Sequence, residues 1–477
     1  MRLLAHGHTR LFVAAFVAAG ATTNARSQPS ATATPIVALS DRVFAYWDSG
    51  DRPGCTVGVD RDGQPRFTKA YGLADLEFGV PATAGTIYEA GSVSKQFTAA
   101  ATVLLALDGK LTLDDDIRRY VPELPVYERP ITIRHLLNHT SGLRDWGDLV
   151  QLAGWRRGTK TYTHDDVLDI LSRQRALNYP VGDRYSYTNS GYNLLAIIIS
   201  RVSGMPFARF SEERVFGPLG LLHTSWRDDY TRVVKGRAQA YDPTPTGWVL
   251  DMPFENVHGN GGLLTTVGDL LTWLQVLEHP RAEFRAMVDA MHVQGRLTDG
   301  STISYALGLF VDEYRGVRRV SHSGATAGYR AQVIRFPGKG LAVSVLCNDG
   351  NANPVALANQ LVDSLLAPSL GPNVAAAARP PRPSSPAFAL TAEQAAEYAG
   401  EYFSPDAELT LRITAEDGKL VLFRRPATRL ALQPTAKDSF GGGGTVQRFW
   451  VTRNATGKIV ALHTASSRAY DVVFERR

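Results

Sequence analysis

Ser92-Val93-Ser94-Lys95 places a serine and a lysine three residues apart at the head of an alanine-rich apolar run, Gln96–Leu107. If that run is a helix, residues at this spacing share a face. The lysine amine then reaches the serine hydroxyl and can help deprotonate it. A serine in the first helical turn also feels the positive end of the helix dipole, which favours an alkoxide. The pair suits a nucleophile for acyl transfer. Ser94 points roughly 200° round the helix from Ser92 and falls outside the pair. The pattern S-x-x-K is common by chance, so its meaning depends on what else the chain supplies.

A serine acylase also needs an oxyanion hole and a way to protonate the leaving group. Tyr187-Thr188-Asn189 lies in a polar, tyrosine-rich loop before a helical stretch. A tyrosine beside a lysine ammonium can lose its proton below its usual value near 10, take the serine proton and pass it on. Asn189 offers a donor and an acceptor to a substrate amide. His322-Ser323-Gly324-Ala325 precedes a strand-like segment, Arg330–Phe336, at a strand edge or turn. A cation or donor at His322 could support Tyr187 or a substrate carboxylate, and Gly324 permits close backbone approach. The Ala325 amide could complete an oxyanion hole with that of Ser92. Taken singly, Tyr187 reads equally as a packing tyrosine and His322 as a loop histidine. Together and in this order they are hard to obtain by chance.

Strand patterns at Gly54–Asp60, Arg66–Tyr71, Arg330–Phe336 and Leu341–Leu346 flank a largely helical middle that includes 165–173 and 192–202. Helices are also expected at 37–47 and 354–366. One sheet built from both ends of this region, with a helical insertion, follows from that order. Residues 368–387 are rich in Pro, Ala and Ser and read as a linker. Beyond it, short alternating segments such as Leu409-Thr410-Leu411-Arg412-Ile413 are separated by tight turns, including Asp417-Gly418. Residues 388–477 therefore read as a small antiparallel barrel or sandwich. Gly441–Gly444 reads as a loop there, since no Lys-Ser/Thr follows to make a phosphate site.

The chain has 477 residues, 44% hydrophobic and 20% charged, with a net charge of +5. That describes a globular protein of about two domains, and the thin, scattered excess of positive charge argues against nucleic acid. Arg2 and Arg10 flank the start of a short apolar run, 11–19, followed by small residues, so residues 1–25 read as a signal peptide and the mature protein as exported and soluble. No stretch is long enough to cross a bilayer. His135 and His139 lack an intervening Glu, and no Cys/His cluster has zinc spacing, so neither metal nor cofactor is expected. The two cysteines, Cys55 and Cys347, adjoin strand-like segments. They form a bridge if those strands pair antiparallel and are otherwise buried small hydrophobes.

Ser92-x-x-Lys95, Tyr187-x-Asn189 and His322-x-Gly324 resemble the three motifs of the serine β-lactamase and penicillin-recognising hydrolase superfamily. The similarity is strongest to the branch with class C β-lactamases, D-alanyl-D-alanine carboxypeptidases, D-aminopeptidases and family VIII esterases. Leu136–Leu143 and Gly261–Thr266 with Asp269-Leu270 resemble structural stretches of the same family. The resemblance covers about 38–366 and implies an α/β fold: a mixed antiparallel sheet flanked by helices (residues 36–367), an all-helical lobe, and the site between them. Residues 388–477 resemble the lipocalin-like barrels of some relatives. It implies Ser92 as acylated nucleophile, Lys95 and Tyr187 as general bases, Asn189, His322 and Gly324 in substrate binding, and the Ser92 and Ala325 amides as oxyanion hole. Class C β-lactamases carry lysine at the position of His322, whereas carboxypeptidase, aminopeptidase and esterase relatives carry histidine. The expected function is a serine hydrolase of small esters or D-amino-acid peptides. A penicillin- or peptide-binding receptor and a true β-lactamase are the alternatives. The β module is a candidate for self-assembly, for limiting substrate size or for binding cell-wall material.

Overall fold

Leu and Val on both faces make Leu341–Cys347 a strand that must be covered on both sides. In the computed structural model it is central in a six-stranded antiparallel sheet. The order is Phe310–Tyr314, Val317–Thr326, Tyr329–Phe336, Leu341–Cys347, Cys55–Arg61, Phe67–Tyr71. Ala342 and Leu346 join the apolar cluster of helix Val267–Glu278. Leu341, Val343 and Val345 join that of helix Pro354–Leu365 and of Leu39 on helix Pro35–Val43. The period of two thus sorts one strand between two cores. The structure describes residues 35–154, 160–373, 388–416, 418–425, 428–443 and 446–477. The signal segment, most of the proline-rich linker, Asp417 and Gly444 lie outside them.

Cys55 stands directly opposite Cys347 in the antiparallel register, and the two form a disulfide. Of the two sequence readings, the pairing condition for a bridge is met. The strand holding His322 differs from expectation. Residues 317–326 form a full strand, so of the two expected placements, a strand edge or a turn, the turn is excluded; His322 pairs with Val333 on one side and lies beyond the pairing with Phe310–Tyr314 on the other. The strand's polar, arginine-rich pattern (Val317-Arg318-Arg319-Val320-Ser321) hid it.

The helical lobe is built on helices Lys95–Leu107 and Asn189–Ser203. The second is capped by the Thr188 hydroxyl, which accepts the Ser190 amide, and ends on Gly204 at φ 70°. A left-handed terminal glycine of this kind satisfies the last carbonyls without a Cβ penalty. Among the described residues, no single helix is long and apolar enough to cross a membrane.

The C-terminal strands, from Gly400–Ser404 to Val472–Arg476, close into an eight-stranded antiparallel barrel. Leu411 and Ile413 face its interior while Arg412 is exposed. Ala395 and Tyr398 of the short helix Ala392–Tyr398 pack in the same cluster, as do Leu149 and Leu152 of helix Trp146–Leu152 from the helical lobe.

Barrel and hydrolase region are joined by buried polar contacts. Arg144 is 2% exposed and donates to Asp406 Oδ2 at 2.9 Å, Gln174 Oε1 at 3.1 Å, and the carbonyls of Tyr470 at 3.2 Å and Asp471 at 2.8 Å. Removing one member of a buried ion pair strands the other charge. Asp406→Ala is expected to destabilise the protein by about 3–5 kcal/mol. Urea unfolding read by tryptophan fluorescence measures it; a change within error of zero contradicts the assignment of this contact as the anchor.

Candidate active site

Ser92 lies in a 3-10 turn, Gly91–Ser94, that runs straight into helix Lys95–Leu107. The sequence spacing therefore does put Lys95 beside Ser92, with Nζ 3.1 Å from Oγ. Lys95 is completely buried. Its Nζ also lies 2.9 Å from Asn189 Oδ1 and 2.6 Å from the Asn260 carbonyl. Among the described residues no carboxylate pairs with it. Burial holds its pKa well below 10.5, the Arg468 guanidinium pushes it lower still, and Asp145 opposes only weakly. A neutral amine has two N–H groups and one lone pair. In the neutral form the two carbonyl oxygens take the donors, which leaves the lone pair for the Ser92 hydroxyl; in the protonated form the third N–H donates to Ser92 Oγ. Ser94 is structural: its hydroxyl donates to Gly91 O at 2.5 Å and accepts the Leu263 amide at 3.1 Å.

Asn260 was not among the residues singled out from sequence. Its carbonyl is presented by Gly259-Asn260-Gly261-Gly262, with Gly259 and Gly262 at positive φ. Thr98 holds the Gly259 carbonyl at 2.7 Å, and Asn193 holds Asn260 Oδ1 at 2.7 Å. The glycine cluster around an asparagine was the available signal.

The Tyr187 ring lies 4.8 Å from Lys95 Nζ and 4.2 Å from the His139 ring. Its hydroxyl is buried beside Ser92 and makes no protein hydrogen bond among the described residues. Burial pushes its pKa above the ordinary 10, and the nearby Ser92 hydroxyl offsets this only in part. This corrects the expectation of a lysine-stabilised phenolate. The Arg468 guanidinium also pulls towards the phenolate, and burial outweighs both. His139 adopts φ 59°, its Nδ1 accepts the Thr188 amide at 3.2 Å, and its carbonyl accepts the Ser186 amide at 2.9 Å. It thereby positions the Tyr187–Asn189 segment from within the 136–143 stretch. Asp145 adds to this by accepting the Asn189 amide at 2.7 Å.

His322 is 2% exposed. Its Nδ1 lies 2.6 Å from the Ser323 carbonyl and its Nε2 3.0 Å from Tyr305 Oη. Nδ1–H donates to the carbonyl and Nε2 accepts from the tyrosine. Burial, with help from Lys95, pulls its pKa down to about 3. The expected cation at this position is therefore absent at neutral pH. Both ring nitrogens are committed within the protein, and the ring borders the cleft as a neutral wall.

Gly324 brings its strand against the nucleophile turn. A Cβ there would lie 2.0 Å from Ala90 O and 3.0 Å from Ser92 N, and one on Gly91 (φ 52°) would lie 2.6 Å from Ala325 N. Two glycines thus let the Ser92 and Ala325 backbones meet at one end of a cleft of about 550 Å³ lined also by Tyr187, Asn189, His322 and Arg468. Among the described residues no group of His, Cys, Asp or Glu could hold a metal ion.

Ser92 thus sits beside a buried amine, in a cleft between the sheet and the helical lobe. Residues 39–367 match the beta-lactamase family. The chain belongs to that family. It is a serine hydrolase. A D-aminopeptidase of Cereibacter sphaeroides is 29% identical over 385 residues, covering 80% of this chain and 69% of the relative. Penicillin-binding protein 4* of Bacillus subtilis is 30% identical over 303 residues, covering 59% of this chain and 65% of the relative. The octameric penicillin-binding protein homologue from Pyrococcus abyssi superposes with a TM-score of 0.62 at 22% identity, over 92% of this chain and all of that one. That last likeness spans the barrel as well as the hydrolase region and shows the shared fold.

Gly324→Ala is expected to lower stability by about 1–3 kcal/mol, because the clash is with backbone and not with a yielding side chain. Thermal unfolding tests it; a wild-type melting temperature contradicts the close-approach argument.

Proposed function

We propose that this beta-lactamase-family hydrolase cleaves amide bonds next to D-amino acids through an acyl-enzyme on Ser92, after export directed by residues 1–25. The observation that carries the mechanism is the buried Lys95 amine, 3.1 Å from Ser92 Oγ with both its N–H groups held by carbonyl oxygens. Ser92 Oγ attacks the carbonyl carbon and its proton passes to Lys95 Nζ. The Ser92 and Ala325 amides stabilise the oxyanion. The intermediate collapses, the C–N bond breaks, and Tyr187 donates its hydroxyl proton to the departing nitrogen while recovering one from Lys95. Water then attacks the acyl-enzyme, its proton returns through the same groups to Ser92 Oγ, and the acid leaves. Asn189, whose Oδ1 is held by Lys95, keeps its amide N–H groups for substrate.

The D-amino-acid assignment is supported by the D-aminopeptidase relative, whose similarity extends over 80% of the chain. Neutral His322 favours an amide or ester hydrolase over an efficient β-lactamase, since no charge at this position holds a β-lactam carboxylate.

Two measurements test this reading. Ser92→Ala is expected to abolish the mass adduct formed by wild type with a fluorophosphonate or penicillin, and to lower turnover of D-amino-acid amides by at least about 10³-fold. An adduct persisting on Ser92→Ala sinks the assignment. The neutral amine is the active form of Lys95, so kcat/KM rises with pH as it loses its proton and levels off well below the ordinary 10.5. A profile still climbing through pH 10 contradicts a depressed lysine. Amides, D-Ala-D-Ala peptides, p-nitrophenyl esters and nitrocefin assayed in parallel rank the substrates; nitrocefin is expected last.

A further inference from the structure

The barrel does more than dock on the hydrolase region. Its loop between strands Ile459–Ser466 and Val472–Arg476 reaches into the active-site cleft. The loop is clamped through its backbone. Arg468 N donates to Asp148 Oδ2 at 2.9 Å, and Arg468 O accepts the Asp145 amide at 3.0 Å and Asn178 Nδ2 at 2.9 Å. Tyr470 N donates to Asn178 Oδ1 at 2.7 Å. The Arg468 side chain is left to project from a fixed base. Its guanidinium lies over the Tyr187 ring, 5.4 Å from the centroid, and lines two adjoining parts of the cleft.

That guanidinium is half-buried and, among the described residues, makes no hydrogen bond or ion pair. The carboxylates around it are engaged elsewhere. Asp145 accepts the Asn189 and Gly147 amides, Asp148 accepts Ser466 Oγ, and Glu255 lies 3.7 Å from Arg227. An arginine aimed into a catalytic cleft without an acid partner is a ready fork for a carboxylate. His322, the other candidate cation from the sequence, has both nitrogens occupied.

We infer that Arg468 is a specificity-determining residue that binds a free carboxylate on the leaving group of the substrate. The side of the scissile bond follows from geometry: Arg468 covers the ring of Tyr187, the residue assigned to protonate the leaving nitrogen. The substrate class is then a peptide whose C-terminal D-residue is released with its carboxylate free. An ammonium group at that point is repelled. This inference rests on the Ser92 acylation reading and narrows it from amides in general to carboxypeptidase-type cleavage.

The test compares two N-acylated D-alanyl-D-alanine substrates with the same scissile bond, one ending in a carboxylate and one in a carboxamide. Wild type is expected to favour the carboxylate in kcat/KM by about 10- to 100-fold, the range for a charged hydrogen-bonded contact. Arg468→Ala is expected to bring the ratio to about one, Arg468→Glu below one, and Arg468→Lys to an intermediate value. Arg468 also helps to depress the Lys95 pKa, so its loss slows both substrates, and the ratio cancels that effect. In wild type alone, about 1 M salt lowers the ratio by screening. A wild-type preference for the carboxamide, or a ratio unchanged in Arg468→Ala, overturns the inference. So does cleavage of D-amino-acid amides with neither dipeptide accepted, an outcome that leaves Ser92 acylation standing. Ser92→Ala run on the same pair reports separately on that reading: retained turnover there removes the acylation assignment itself.

Discussion

An amine buried without a carboxylate partner holds its proton far less tightly than a lysine in water, and the site is organised around that constraint. Lys95 has no exposed surface, and its Nζ bonds only to oxygens that carry no full charge. Desolvation disfavours its charged form. The consequence is a lone pair, and the Asn189 side chain and Asn260 carbonyl direct it by occupying both N–H groups. Tyr187 and His322 are desolvated in the same pocket, and burial disfavours the charged form of each. A base, a phenol proton donor and a neutral histidine wall all follow from that shared burial.

Backbone proximity is the second requirement, and it depends on glycine. The nucleophile turn and the strand carrying Ala325 approach more closely than any Cβ allows. The six-stranded sheet supplies the rigidity for this contact, with the disulfide between Cys55 and Cys347 tying its two distant strands together. The left-handed His139 and the buried Asp145 hold the opposite wall, the Tyr187–Asn189 segment, from the helical lobe. The cleft is therefore built between two separately stabilised bodies.

The barrel is joined to the helical lobe by a buried arginine, a shared apolar cluster and a loop whose backbone is clamped on both sides. Those contacts fix where Arg468 begins. The three roles considered for this module from the sequence were assembly, restriction of the site and binding of cell-wall material. The clamped loop, which sets Arg468 in the cleft, fits the second.

Much of the architecture was legible in residue order. The strands flanking a helical middle, the Pro-rich break and the alternating C-terminal segments are local patterns, and period-two alternation marks a half-buried strand wherever it occurs. The Ser92–Lys95 contact was legible too, because i,i+3 spacing on a helix is local geometry. Strand Val317–Thr326 was not, since charged residues interrupt its alternation, although its partners are the adjacent hairpin strands Phe310–Tyr314 and Tyr329–Phe336. The sequence by itself determined which side chains could react and which segments would be regular. Tertiary structure alone decided their protonation, because a pKa depends on burial and on charges brought from far along the chain. It also decided that a backbone carbonyl at Asn260 and a cation from the last barrel loop would join the site, since neither carries a chemical signature until folding places it there.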